Sequence, residues 1–171
     1  MNHLPRMSRP ASEARLCLAE FLPYRMNVAT QAISQGLAQY YADAYGISIP
    51  EWRIVATLGE FTEMTARDIA AHSRMSKVMT SRAAASLLKR KLIARRTNRE
   101  DRRESFLRLT AQGGSVYAEM VPKALVYQAR LKEGLSKSDL AALERILAHF
   151  MQVSQKDAVE NGRFDSLLTL Y

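Results

Sequence analysis

The chain has one cysteine and three histidines in 171 residues. Cys17 alone cannot close an internal disulfide, and His3, His72 and His149 are too widely separated for the ligand spacing of a metal site. No metal or other cofactor is therefore expected. The seven glycines include no phosphate-cradling loop, and no G-x-S-x-G or H-E-x-x-H arrangement supplies a nucleophile with its base or a metal-bound water. The chain reads as something other than an enzyme. No apolar run approaches the roughly 20 residues needed to cross a bilayer, so no membrane partner is expected. Residues 1–14 (MNHLPRMSRPASEA) carry two prolines and two arginines but no apolar h-region. They read as a flexible basic tail on a soluble, cytoplasmic protein.

Acidic residues are also scarce, and in one place above all. Between Arg74 and Arg108 stand twelve lysines and arginines against three acids. That stretch carries +9 of a net +8, leaving −1 for everything else. A positive field concentrated on an otherwise near-neutral body is the footprint of a polyanion partner, whose counterions it displaces. The densest part is REDRRESFLRLTAQG at 99–113, with seven charges in its first ten positions.

The apolar periodicity is mostly helical. Pro23 suits a first helical turn, and Ile33, Leu37, Tyr40, Tyr41 and Ala44 then recur at helical spacing until Gly46 supplies a stop. Pro50 reopens a helix through Trp52, Ile54, Val55 and Leu58, ending near Gly59. Thr65 with Asp68 forms a capping pair for a short helix, and Ser76 caps another, SKVMTSRAAASLLKRK. Two short helices in succession predict a helix-turn-helix. The pattern then switches to two short strands, Leu92 to Thr97 and Ser105 to Leu109, with the charged segment as the tip between them. Thr110 opens a helix to about Glu133, stopped by Gly134, and Ser136 with Asp139 caps a last one carrying Leu140, Leu143, Leu147 and Phe150. That wide apolar stripe predicts a homodimer seam. The expected class is mainly α (α+β).

A helix capped at Ser76 presents Ser76, Lys77, Met79, Thr80, Ser81 and Arg82 near its N-terminus, where recognition helices meet base edges and phosphates of double-stranded DNA. The tip residues Arg99, Arg102 and Arg103 are placed to enter the neighbouring minor groove, with Asp101 pairing an arginine to set its direction, and Arg95 is a further candidate DNA contact. A solvated loop is the plainer alternative for the tip, and ordinary surface for Met79 and Thr80.

The order helix-turn-helix, then D-R-R-x(5)-L-T-x-x-G at Asp101 to Gly113, flanked by long helices, resembles the MarR family of winged-helix transcriptional regulators. The resemblance covers roughly Phe21 to Gln155. FLPYRMN (21–27), GISIPEWRIVATLG (46–59) and ARLKEGLS (129–136) resemble members controlling aromatic-acid catabolism. It implies a winged helix-turn-helix with a two-stranded wing over 47–109. Residues 15–46 and 110–160 would form a helical dimerisation region, and 161–171 a C-terminal tail. It further implies a pocket between the dimer helices and the winged helix, near Tyr24, Arg25, Asn27, Trp52, Arg53 and His72. Trp52 lies on the apolar face of its helix, which also fits a core role, and His72 a turn. The implied function is a repressor released from a palindromic operator by a small anionic aromatic acid or its CoA thioester. One departure from the family pattern is Lys91, where many members carry Gly.

Two alternatives stand beside this. A thiol-based redox sensor would use Cys17, but counting back from I-x-I-P-E-W puts the sensing position on Tyr24 and its supporting tyrosine on Ile49. A buried, inert thiol is the expected state. A non-specific architectural DNA binder would be basic too, yet would not need two long apolar terminal helices.

Overall fold

In a computed structural model, residues 15–97 and 105–159 are described, with side chains to 156. They form six helices and three short strands: α1 (Leu22–Tyr45), α2 (Ile49–Phe61), β1 (Glu63–Thr65), α3 (Ala66–His72), α4 (Lys77–Lys89), β2 (Ile93–Thr97), β3 (Ser105–Leu109), α5 (Ala111–Lys132) and α6 (Lys137–Val159). The class is mainly α, as expected. The chain divides into two compact units, Met1–Ala124 and Leu125–Tyr171.

The first unit holds the core. Helix boundaries follow local chemistry. Pro23 lies in the first turn of α1, and Gly46, at φ 57°, closes it with its N–H on the Ala42 carbonyl, a left-handed cap that glycine adopts without strain. Ser48 and Glu51 form a reciprocal capping box on α2, while Thr65 and Ser76 cap α3 and α4 through the Asp68 and Met79 amides. Helix α2 runs to Phe61, two residues past the expected Gly59.

Both ends of the helix-turn-helix use the same closing geometry. After α3, the Met75 N–H reaches the Ala70 carbonyl and the Arg74 N–H that of Ala71; after α4, Leu92 and Lys91 reach Leu87 and Leu88 in the same way. Each is a Schellman closure, and the left-handed position falls on Arg74 (φ 53°) and Lys91 (φ 58°). The turn at Lys91 is thus the one glycine favours, held here by a lysine.

The sheet differs from expectation. The β2–β3 hairpin forms, pairing Ile93 with Leu109 and Thr97 with Ser105, but a third strand joins it in the order β1-β3-β2. Three residues, Glu63–Thr65, pair antiparallel with Phe106–Arg108. So short a strand carries no readable alternation, and only its partner shows it.

Ile54, Val55, Leu58, Ile69, Leu87, Ile93, Leu107 and Met120 are fully buried, gathered from α2, α3, α4, the sheet and α5. The L-T-x-x-G segment joins the wing to α5. Thr110 Oγ1 donates to the Lys91 carbonyl (2.7 Å) and accepts from the Gly113 N–H (3.1 Å). A Cβ on Gly113 would sit 1.9 Å from the Leu92 carbonyl oxygen, so this motif is a close backbone crossing rather than a ligand contact.

The second unit comprises the end of α5 and α6. Ser136 and Asp139 cap α6, the Asp139 carboxylate accepting from the Ser136 N–H (2.9 Å) and hydroxyl (2.6 Å). These bonds hold the Asp139 carboxyl below the usual range. Leu140 and Phe150 are half-buried, whereas Leu143, Ile146, Leu147 and Met151 are exposed in the single chain.

Candidate nucleic-acid interface

Helix α4 is two-sided. Thr80, Ala83, Ala84 and Leu87 recur at i, i+3, i+4 and i+7 and are buried, the stripe that seats a helix on a core. Lys77, Val78, Met79, Ser81, Arg82 and Ala85 face solvent. No acidic residue occurs between Arg74 and Arg99, so nothing on the helix opposes a polyanion. Its first amides add the positive end of the helix dipole.

This phase corrects one expectation. Thr80 is only 1% exposed, and its hydroxyl donates to the Ser76 carbonyl at 3.0 Å. It anchors the helix and cannot meet a base edge. Val78, passed over in the sequence, is 61% exposed. At about 100° per residue it lies about 160° around the helix from Thr80. The periodic Thr80–Leu87 stripe was the signal that could have found it.

Two hollows flank the exposed face. One, of about 530 Å³, lies between the start of α2 and α4, with Ser48, Glu51, Met79, Arg82 and Ser86 in its wall. The other, of about 300 Å³, lies between α3, α4 and the wing, with Arg67, Lys77, Ser81, Arg95 and Ser105 around it. Arg95 and Arg96 leave β2 on opposite faces. Arg95 shares its face with Leu107, toward this basic hollow, whereas Arg96 lies 4.9 Å over the Phe106 ring and binds Glu63 through Nε at 3.0 Å. The Arg96 hydrogen bond holds the Glu63 carboxyl below the ordinary range. One arginine ties the sheet together, and the other lines the hollow. The tip residues Arg99, Asp101, Arg102 and Arg103 lie outside the described residues.

A polar clamp fixes the far end of α4. Arg90 donates to the carbonyls of Tyr45 and of Gly46 (3.0 Å) and lies 3.9 Å from Glu51. Burial alone would raise the Glu51 carboxyl. Hydrogen bonds from Ser86 and from the Ser48 N–H and hydroxyl, with the Arg90 charge, outweigh it and hold the group below its usual value. Tyr45 also donates from its hydroxyl to Glu119 on α5 and lies under the Lys123 ammonium. The α1–α2 junction is thereby bolted to α4, which sets the direction in which the helix points.

The expected effector residues are not brought together. Trp52 is buried and stacks on Tyr41 with ring centroids 5.5 Å apart, the core role that its apolar helix face also fits. Arg53, the next residue, lies close enough to offset part of the rise that burial gives the Tyr41 hydroxyl pKa. His72 meets the edge of Phe61 at 4.8 Å on α3. Tyr24, Arg25 and Asn27 are exposed on the first turns of α1, and none of the six lines either hollow. Cys17, expected to be buried, is exposed. Among the described residues no group of acids, histidines and cysteine has the makings of a metal site, and no helix is long and apolar enough to cross a membrane.

Comparison with known proteins agrees with this geometry. The MarR family profile matches residues 45–104, from the end of α1 to the wing. No curated protein matches. Among solved structures, a MarR family transcriptional regulator from Silicibacter pomeroyi DSS is 26% identical over 80% of this chain and 91% of its own, with a TM-score of 0.68. A MarR/EmrR family regulator from Acinetobacter sp. ADP1 is 20% identical over 82% and 99%, with a TM-score of 0.75. Bordetella bronchiseptica BpsR, whose DNA binding is regulated by 6-hydroxynicotinic acid, is 19% identical over 76% and 98%, with a TM-score of 0.67. The first two are described as transcriptional regulators and the third by the regulation of its DNA binding. Residues 45–104 thus match the MarR family, and the chain is similar in fold over most of its length to solved MarR family regulators.

Proposed function

We propose that this chain is a homodimeric DNA-binding transcriptional regulator, a repressor released from a palindromic operator by a small anionic aromatic acid or its CoA thioester. The observation that carries the DNA-binding part is the outward face of α4. Lys77, Ser81 and Arg82 stand on it, with Arg95 beside it on the wing, in a stretch that accounts for the net positive charge of the chain. Major-groove width admits such a helix, and the flanking hairpin is the length of chain that reaches the next groove. Arg99, Arg102 and Arg103 are the proposed groove or phosphate contacts of the tip, oriented by Asp101.

Dimerisation is supported by unspent apolar surface. Leu22, Val28 and Ile33 on α1, and Leu143, Ile146, Leu147 and Met151 on α6, are exposed in the single chain, apolar faces of the kind that mark interaction surfaces. A second copy is the partner that supplies a matching stripe, and two-fold symmetry pairs two reading heads with two half-sites.

The effector class rests on the regulator that responds to 6-hydroxynicotinic acid and on Arg25 and Tyr24, which offer a cation and a ring near one another on α1. Since these side chains are open in one chain, a pocket there takes walls from the second. Fluorescence anisotropy against an enriched duplex and a random one, at three salt concentrations, tests the DNA reading. A specific binder holds the first more tightly, and Arg103→Ala weakens both while lowering the salt slope by about one unit. Equal affinity for the two duplexes favours the architectural alternative. Benzoates, hydroxycinnamates and their CoA thioesters are then screened by thermal shift, where a ligand at about 100 times its Kd adds about 2.7 kcal/mol.

A further inference from the structure

The centre of the exposed face of α4 is not charged. Val78 stands there at 61% exposure with Met79 beside it at 44%, and Ser81 and Arg82 follow one turn later. A β-branched residue in the first turn of a short helix is a poor helix former and, unburied, gains nothing from packing. Two apolar side chains set among Lys77, Ser81 and Arg82, with no acid on the helix, are complementary to a surface that is anionic at its edges and apolar at one point between them.

We propose that Val78, supported by Met79, reads the C5-methyl group of thymine in the operator. The proposal rests on the DNA-reading function above and names its specificity. Among the groups that base pairs present in the major groove, the thymine methyl is the apolar one, while the others are hydrogen-bond donors and acceptors. The two side chains divide the work by stiffness. Valine in a helix keeps essentially one χ1 rotamer, so it demands a methyl at one position. Methionine is unbranched and adaptable, so it follows the neighbouring base and tolerates variation. Lys77 and Arg82 supply the charge that holds the helix in the groove.

The test uses the full chain. Duplexes are enriched from a random pool, and each thymine of the enriched sequence is replaced in turn by deoxyuridine, which keeps every hydrogen-bonding group and lacks only the methyl. The wild type should lose about fourfold in affinity at the thymine facing Val78, the factor for one methyl-sized group leaving an apolar contact. Val78→Ala should bind the thymine and uracil duplexes alike at that position. Circular dichroism should show its helix content unchanged, since the site is exposed and alanine is the better helix former. An enriched sequence indifferent to every deoxyuridine replacement overturns the proposal and leaves the DNA reading intact. A uracil penalty undiminished in both Val78→Ala and Met79→Ala overturns the assignment to these residues. If no sequence is enriched, the exposed apolar pair serves another partner, and the DNA-reading function fails with the proposal.

Discussion

The winged helix and the long terminal helices use apolar residues in opposite ways. Over residues 47–109, α2, α3, α4 and the hairpin bury most of their large apolar side chains against one another, from Ile47 to Leu107, with Phe61, Val78 and Met79 left exposed. By contrast α1, with 24 residues, has Tyr41 as its buried residue, and α6, with 23, has none among its described side chains. Both regions show the same helical periodicity in the sequence. Periodicity therefore says that a helix has an apolar face, and not what covers it.

Five changes probe these two uses, beginning with the largest expected effect. Leu87→Ala, at a fully buried site on α4, should cost about 2–5 kcal/mol by lost burial and cavity formation, read as a fall in denaturation midpoint. Leu147→Asp places a charge on the open α6 stripe and should halve the sedimenting mass while the winged helix stays folded. An unaltered mass would remove the intersubunit role of that stripe.

Thr80→Ala should lower stability by about 1 kcal/mol, through the lost bond to the Ser76 carbonyl. It should leave the ranking of duplex affinities unchanged, because the side chain faces the core. A reordered ranking would mean that α4 turns on binding.

Glu51→Gln tests the clamp. The folded carboxyl titrates below its ordinary value of 4.5, so its contribution is complete above the unfolded pKa and is lost as pH falls through the folded one. Wild type should exceed the variant by about 1–2 kcal/mol near pH 7, and the gap should close below about pH 4.5. A gap that persists in acid would show that the carboxylate is not the stabilising form. The smallest effect is Lys91→Gly, which should gain up to about 1 kcal/mol by relieving a left-handed lysine, visible as a Tm a few degrees higher.

Much of the fold was readable because caps are local. Thr65, Ser76 and Ser136 accept from amides three residues on, so their spacing already carries the geometry. The wing hairpin was readable through its strand pattern and the L-T-x-x-G that follows it. Less of the site was legible. Thr80 was chosen for its closeness to the helix start, although its spacing to Ala83, Ala84 and Leu87 placed it inward. Trp52 and His72 were drawn to a pocket by residue type, and both proved to be held by neighbours, Tyr41 and Phe61, that lie 11 residues away in the sequence.

From the sequence alone came whatever depends on neighbours within a turn or two: the helix starts, the left-handed stop at Gly46, the concentration of charge between Arg74 and Arg108, and the helix-turn-helix itself. The tertiary structure decided what depends on contacts between distant segments. It added β1, which exists only because Glu63–Thr65 meets Phe106–Arg108. It joined Arg90 to Tyr45 and Gly46 across some 44 residues. It also chose which side of α4 faces outward, because a helix offers every side chain a direction and only the core it packs against selects one.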